Sequence, residues 1–145
     1  MTKMQFEMVS RARGGIRQQE NLTRALGLAY AKHDDVRYNA GSDIELGNRH
    51  ISVKSRHFTL MASCLCEGET TLEGIWNVYA RNTASNEWAY VIEDTAYFMN
   101  KNEFKEFIFS FTDVEKDSVK GGGGGYKIRG KRCENKIKAW FEARV

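Results

Sequence analysis

The chain has 145 residues, 41% of them hydrophobic and 28% charged, with three cysteines and no proline. That make-up belongs to one soluble globular domain that can bury a core without a disulfide or metal staple, and it excludes a disordered tail and a mini-protein. No apolar run approaches the roughly 18 to 20 residues that span a bilayer, the N-terminus carries no apolar signal core, and Cys64, Cys66 and Cys133 cannot all pair within one chain, so a reducing, cytoplasmic setting is expected.

From residue 15 to about 32, Ile16, Leu22, Ala25, Leu26 and Ala29 recur at spacings near three and four, which predicts an amphipathic helix opened by Gly14 and Gly15. Val36-Arg37-Tyr38 is strand-like, and residues 43–46 and 50–54 alternate with period two. Gly47-Asn48 between them accepts the positive φ angles of a tight primed turn and predicts a hairpin. Alternation turns Ile44, Leu46, Ile51 and Val53 to the core and places Asp43, Glu45, Ser52 and Lys54 together on the opposite side. A further strand is expected over residues 58–62, then a loop over 64–69. Residues 70–81 predict a second helix, capped by Thr70 or Thr71, with Leu72, Ile75, Trp76 and Tyr79 as its buried stripe.

Residues 88–92 and 96–99 predict two short strands rich in aromatic and β-branched residues, separated by Glu93-Asp94-Thr95. Asn100 caps a third helix over 101–111 that buries Phe104, Phe107, Ile108 and Phe111. Five consecutive glycines, Gly121 to Gly125, centre a flexible Gly-rich loop over 119–126. The basic C-terminal segment 127–145 is then expected to give an edge strand, beginning at Tyr126, and a closing helix over 134–144 that buries Ile137, Trp140 and Phe141. With no repeat and no boundary, residues 1–145 read as a single domain of α/β (α+β) class, a mixed central β-sheet flanked by helices.

The net charge of +3 is unevenly placed: residues 120–145 carry +6, which leaves the first 119 at −3. Arg11, Arg13 and Arg17 form a second basic stretch. Two basic patches suggest a polyanion partner, although an ordinary solvated surface has the same composition. In the first reading Lys127, Arg129, Lys131, Arg132, Lys136 and Lys138 contact phosphates, and Tyr126 stacks a base. Trp76, Trp88 and Trp140 fall on apolar faces and are read as core. Cys64-x-Cys66 with His57 and His50 lacks the spacing of a two-plus-two zinc site, so buried cysteines are expected there. The glycine run matches no phosphate-loop pattern.

Asp43, a hairpin, then Ser52-Val53-Lys54, preceded by a helix carrying Glu20, resembles the PD-(D/E)XK nuclease superfamily over about residues 15 to 98. That resemblance implies a restriction-endonuclease-like core of helix, three strands, helix and strand, with Asp43 at the family's Asp, Lys54 at its Lys and Glu20 at its optional helix carboxylate. Ser52 stands where the family has Asp or Glu, and Glu45, on the ribbon face of Asp43 and Lys54, is a candidate migrated ligand. Such a site holds Mg²⁺, here through Asp43 and Glu45, which polarises a phosphodiester and activates water while the lysine assists. The residue types alone also fit cross-strand ion pairs among Asp43, Glu45 and Lys54, and a surface pair between Glu20 and Arg24.

Residues 41–56 and 94–100 also look like small proteins of phages and mobile elements, which implies a host-cell cytoplasm. The resulting expectation is a nucleic-acid-binding protein, DNA favoured over RNA, that acts as a Mg-dependent nuclease or resolvase. The alternative is a non-catalytic inhibitor of a host defence complex, of anti-CRISPR type, that binds a nucleoprotein or competes for its nucleic acid. No membrane partner is expected, and a homodimer stays open.

Overall fold

A computed structural model describes residues 1–8, 15–26, 43–55, 59–61, 71–116, 126–130 and 133–145. Their elements are β1 (Thr2–Gln5), α1 (Gly15–Ala25), β2 (Ile44–Leu46), β3 (Arg49–Lys54), β4 (Thr59–Met61), α2 (Leu72–Asn82), β5 (Glu87–Ile92), β6 (Thr95–Met99), α3 (Lys101–Phe111), β7 (Thr112–Lys116), β8 (Tyr126–Gly130) and α4 (Glu134–Glu142). Five strands form a mixed sheet in the order β1-β6-β5-β3-β2, and β4, β8 and β7 form a second, antiparallel one. This is the α+β class that the pattern of elements predicts.

The mixed character comes from one junction. β3 and β5 run parallel through a connection that contains α2, whereas β2–β3, β5–β6 and β1–β6 are antiparallel. Helices cover both faces. Trp88, Tyr90, Tyr97 and Met99 pack with Ile75 and Trp76 of α2, Phe104 and Phe107 of α3, and Phe141 of α4. On the other face Leu22 of α1 packs with Ile44, Ile51, Ala89, Val91 and Phe98. Trp88 stacks on Phe104 and Tyr97 on Phe141, with centroids 4.8 and 4.5 Å apart.

Local chemistry sets the helix starts. Asn100 and Glu103 form a reciprocal capping box at α3: each side chain accepts the other's backbone N–H, at 2.8 and 2.9 Å. At α2 the Thr71 hydroxyl accepts the Gly74 N–H at 3.0 Å. Thr71→Ala is expected to lower stability by about 1 kcal/mol, read as a lower urea midpoint at an unchanged m value.

The structure departs from the sequence expectation at several places. β1 and β7 are additional strands, short and without clean alternation. The strand at 126–130, expected at an edge, is the middle of the second sheet, and the strand expected at 58–62 pairs there with it as β4. Trp140 is half-buried at the rim of the core. Residues 9–14, 27–42, 56–58, 62–70, 117–125, 131 and 132 lie outside the described set, and with them the strand at Val36 to Tyr38, the loop at 64–69, and the glycine run. Among the described residues no helix is long and apolar enough to cross a membrane.

Candidate functional site at the open end of the hairpin

In the β2–β3 turn Gly47 has φ +59°, and Asn48 is not in the left-handed region. A type II′ turn has this pattern, and its two-residue loop pairs Ile44 with Ile51 and Glu45 with His50. At the open end Asp43 donates its N–H to the Ile51 carbonyl at 2.9 Å, and its Oδ2 accepts the Val53 N–H at 2.7 Å. The carboxylate thus satisfies an amide that β2 is too short to reach. Gln19 of α1 donates from Nε2 to the Asp43 carbonyl at 3.5 Å.

Ser52 is in register with Trp88, and Lys54 with Tyr90. Partners in register share a face. The hairpin side expected to be open therefore lies on the aromatic side of the sheet, the one covered by α2, α3 and α4. Ser52 is only 5% exposed, and Lys54 is half-buried. Burial pushes the Lys54 ammonium below its ordinary range, and the Asp43 charge opposes that shift. Tyr79 of α2 accepts the Trp88 indole N–H at 2.9 Å. Burial raises its phenol, the Trp88 and Thr83 hydrogen bonds lower it, and the Asp43 charge raises it further. Asp43, Lys54 and Tyr79 thus form one electrostatic group where α2 covers the parallel strands.

The other predicted carboxylates have different partners. Glu45 meets His50 Nδ1 across the hairpin. Glu20 pairs with Arg24, Nη2 to Oε1 at 2.9 Å, on a helix that packs against the opposite face of the sheet from Lys54. Among the described residues no group of three or more His, Cys, Asp or Glu side chains is disposed to hold a metal. A hard cation such as Mg²⁺ takes one or two carboxylates plus water and phosphate. Among the described residues, Glu45 would have to leave His50 to join Asp43 as a second carboxylate.

Lys136 and Lys138 are exposed on α4. Lys127 and Arg129 lie on β8, in register with Met61 and Thr59 of β4 on one side and Glu115 and Asp113 of β7 on the other. Lys131, Arg132, His57, Cys64 and Cys66 lie outside the described residues. The pairing of His50 with Glu45 was available from the length of the hairpin loop alone. Trp88 and Tyr79 carry no such sequence signal, because only the parallel β3–β5 register brings Trp88 beside Ser52, and Tyr79 reaches it from α2 by accepting its indole N–H. Compared with protein-family models, curated proteins and solved structures, the chain matches none.

Proposed function

We propose that the protein binds nucleic acid through its basic C-terminal part, and that the Asp43–Lys54 end of the hairpin, similar to a PD-(D/E)XK site, contacts a phosphodiester without hydrolysing it. The observation that carries this reading is the engagement of Glu45 by His50, which ties up the carboxylate that the hairpin would bring to Asp43 and Lys54. Lys136 and Lys138, with Lys127, Arg129, Lys131 and Arg132, supply the positive charge. Each phosphate they neutralise releases counterions, so affinity falls as salt rises. Binding without turnover suits a mobile-element inhibitor that occupies a host nucleoprotein or competes for its nucleic acid.

One observation favours a second reading, a Mg-dependent phosphodiesterase of nuclease or resolvase type. Burial holds the Lys54 amine below its ordinary range and the Asp43 charge acts on it, which supports a reading in which the two work on one phosphodiester. Binding and cleavage of single-stranded, duplex and branched DNA, in Mg²⁺ or Mn²⁺ against EDTA, separate the two. The expected result is equal binding with and without metal and no products. Replacing Lys136 and Lys138 together by Ala should flatten the salt slope of log affinity by about two units. Metal-dependent products that Asp43→Asn abolishes would establish the nuclease instead, and no binding to any DNA would overturn both readings.

A further inference from the structure

A cleft of about 410 Å³ opens at the end of the central sheet away from Lys54. It lies where the β2–β3 turn, the starts of β1 and β5, the end of β6 and the cap of α3 meet, and its lining includes Thr2, Asn48, Arg49, Glu87, Phe98 and Asn100. Its size falls within the range of small-ligand sites.

Arg49, the first residue of β3, defines its character. The parallel register brings Glu87 alongside, and Arg49 Nε and Nη2 each donate to a Glu87 oxygen at 2.8 Å. This two-point fork fixes the plane of the guanidinium. The same group lies over the ring of Phe98, with Cζ 5.3 Å from the centroid. The Arg49 side chain is nevertheless 42% exposed and lines the cleft, so Glu87 and Phe98 leave part of it open to a ligand. Asn86 makes the surround rigid: its Oδ1 accepts the His50 N–H at 2.9 Å and its Nδ2 donates to the Asn48 carbonyl at 2.8 Å. Asn100 uses Oδ1 on the Glu103 N–H, which leaves its Nδ2 for a ligand, and Asn48 also lines the cleft.

Two features select the occupant. The Arg49 charge is already matched by Glu87, and the Glu103 carboxylate at the cleft wall is matched by the Met1 amino group at 3.0 Å, so an incoming anion meets two neutral pairs. No unmatched positive charge among these groups draws a phosphate in. A planar cation backed by an aromatic ring offers its other face to a second flat π-system, and amide groups at the rim offer donors and acceptors to an edge. An unpaired nucleobase has both properties.

We infer that this cleft stacks one unpaired nucleobase on Arg49, with the amides of Asn48 and Asn100 meeting its edge. The inference goes beyond the proposed function. It assigns base contact to a place five residues, roughly 16 Å, along β3 from Lys54, and it does not need the Asp43–Lys54 end to touch a phosphodiester.

The test is an ¹⁵N NMR titration of the full chain with adenosine, cytidine and uridine, and with ribose 5-phosphate as the baseless control. The nucleosides should shift the Arg49 Nε–H and the backbone amides of Asn86 and Phe98 with millimolar affinity, and ribose 5-phosphate should leave them in place. Arg49→Lys keeps a cation opposite Glu87 but removes the flat surface, and should weaken nucleoside binding at least about tenfold. The inference is overturned if no nucleoside shifts these signals up to its solubility limit, if ribose 5-phosphate shifts them equally, or if Arg49→Lys binds unchanged. The wild-type titration decides even if the variant fails to fold. Failure here leaves the salt-slope experiment on Lys136 and Lys138 untouched, so the two readings fall separately.

Discussion

Phe107→Ala is expected to remove about 3–5 kcal/mol of folding stability, a large part of the roughly 5–15 kcal/mol that holds an ordinary domain together. Phe107 is fully buried on α3, and its ring meets Tyr90 of β5 at 5.1 Å, Phe111 at 5.4 Å, Phe141 of α4 at 5.4 Å and Trp140 at 5.8 Å between centroids. It therefore joins the sheet to two helices, and none of these neighbours can close a ring-sized cavity without giving up its own packing. Phe109, two positions along the same helix, is 40% exposed, with the Lys105 ammonium 5.4 Å from its ring centroid. Phe109→Ala should change stability by less than about 0.5 kcal/mol. Urea denaturation of both variants at equal m values measures the contrast, and similar losses would mean that α3 does not present this face to the core.

That contrast is legible in the sequence because Phe104, Phe107, Ile108 and Phe111 keep helical spacing and Phe109 breaks it. The hairpin is legible for a similar reason: a two-residue Gly-Asn loop leaves one register that keeps Ile44 and Ile51 together. What alternation could not say is that both faces of the sheet are covered. It separates Ser52 and Lys54 from Ile51 and Val53, but whether the second face meets water depends on α2, α3 and α4, whose packing is set by residues 20 to 90 positions away. The same limit applies to β4 and β8, two short segments far apart in sequence that find each other in a second sheet. It applies as well to the Arg49–Glu87 fork, which exists only through the parallel pairing of β3 with β5. Local pattern fixes elements and their faces, whereas the candidate sites arise from contacts across the chain.

The Asp43–Lys54 pair should show itself in the pH dependence of stability. In the folded protein, burial holds the Lys54 ammonium below its ordinary range, so between that lowered value and the ordinary one near 10.4 the unfolded chain binds the extra proton. Stability then rises with pH across that window. Tyr97, pushed up to about 12 by burial and by its hydrogen bond to Glu142, and Tyr90, raised by burial, act in the opposite sense. They keep protons that the unfolded chain loses near pH 10, so stability falls above that pH. Wild type is therefore expected to gain stability towards about pH 10 and then lose it, and Lys54→Met should abolish the gain and keep the loss. Asp43→Ala removes the acceptor of the Val53 N–H and the charge that opposes the Lys54 shift, and should cost about 1.5–3 kcal/mol at neutral pH. It should also extend the alkaline gain to lower pH, because the amine then loses its proton more readily. In Asp43→Asn with Lys54→Met the amide can still accept from Val53 while both charges are gone, so the double variant should be more stable than the sum of the single changes by about 0.5–3 kcal/mol. Additive single and double changes, or an alkaline gain that survives Lys54→Met, would mean that the two groups do not interact and that the hairpin end holds no site.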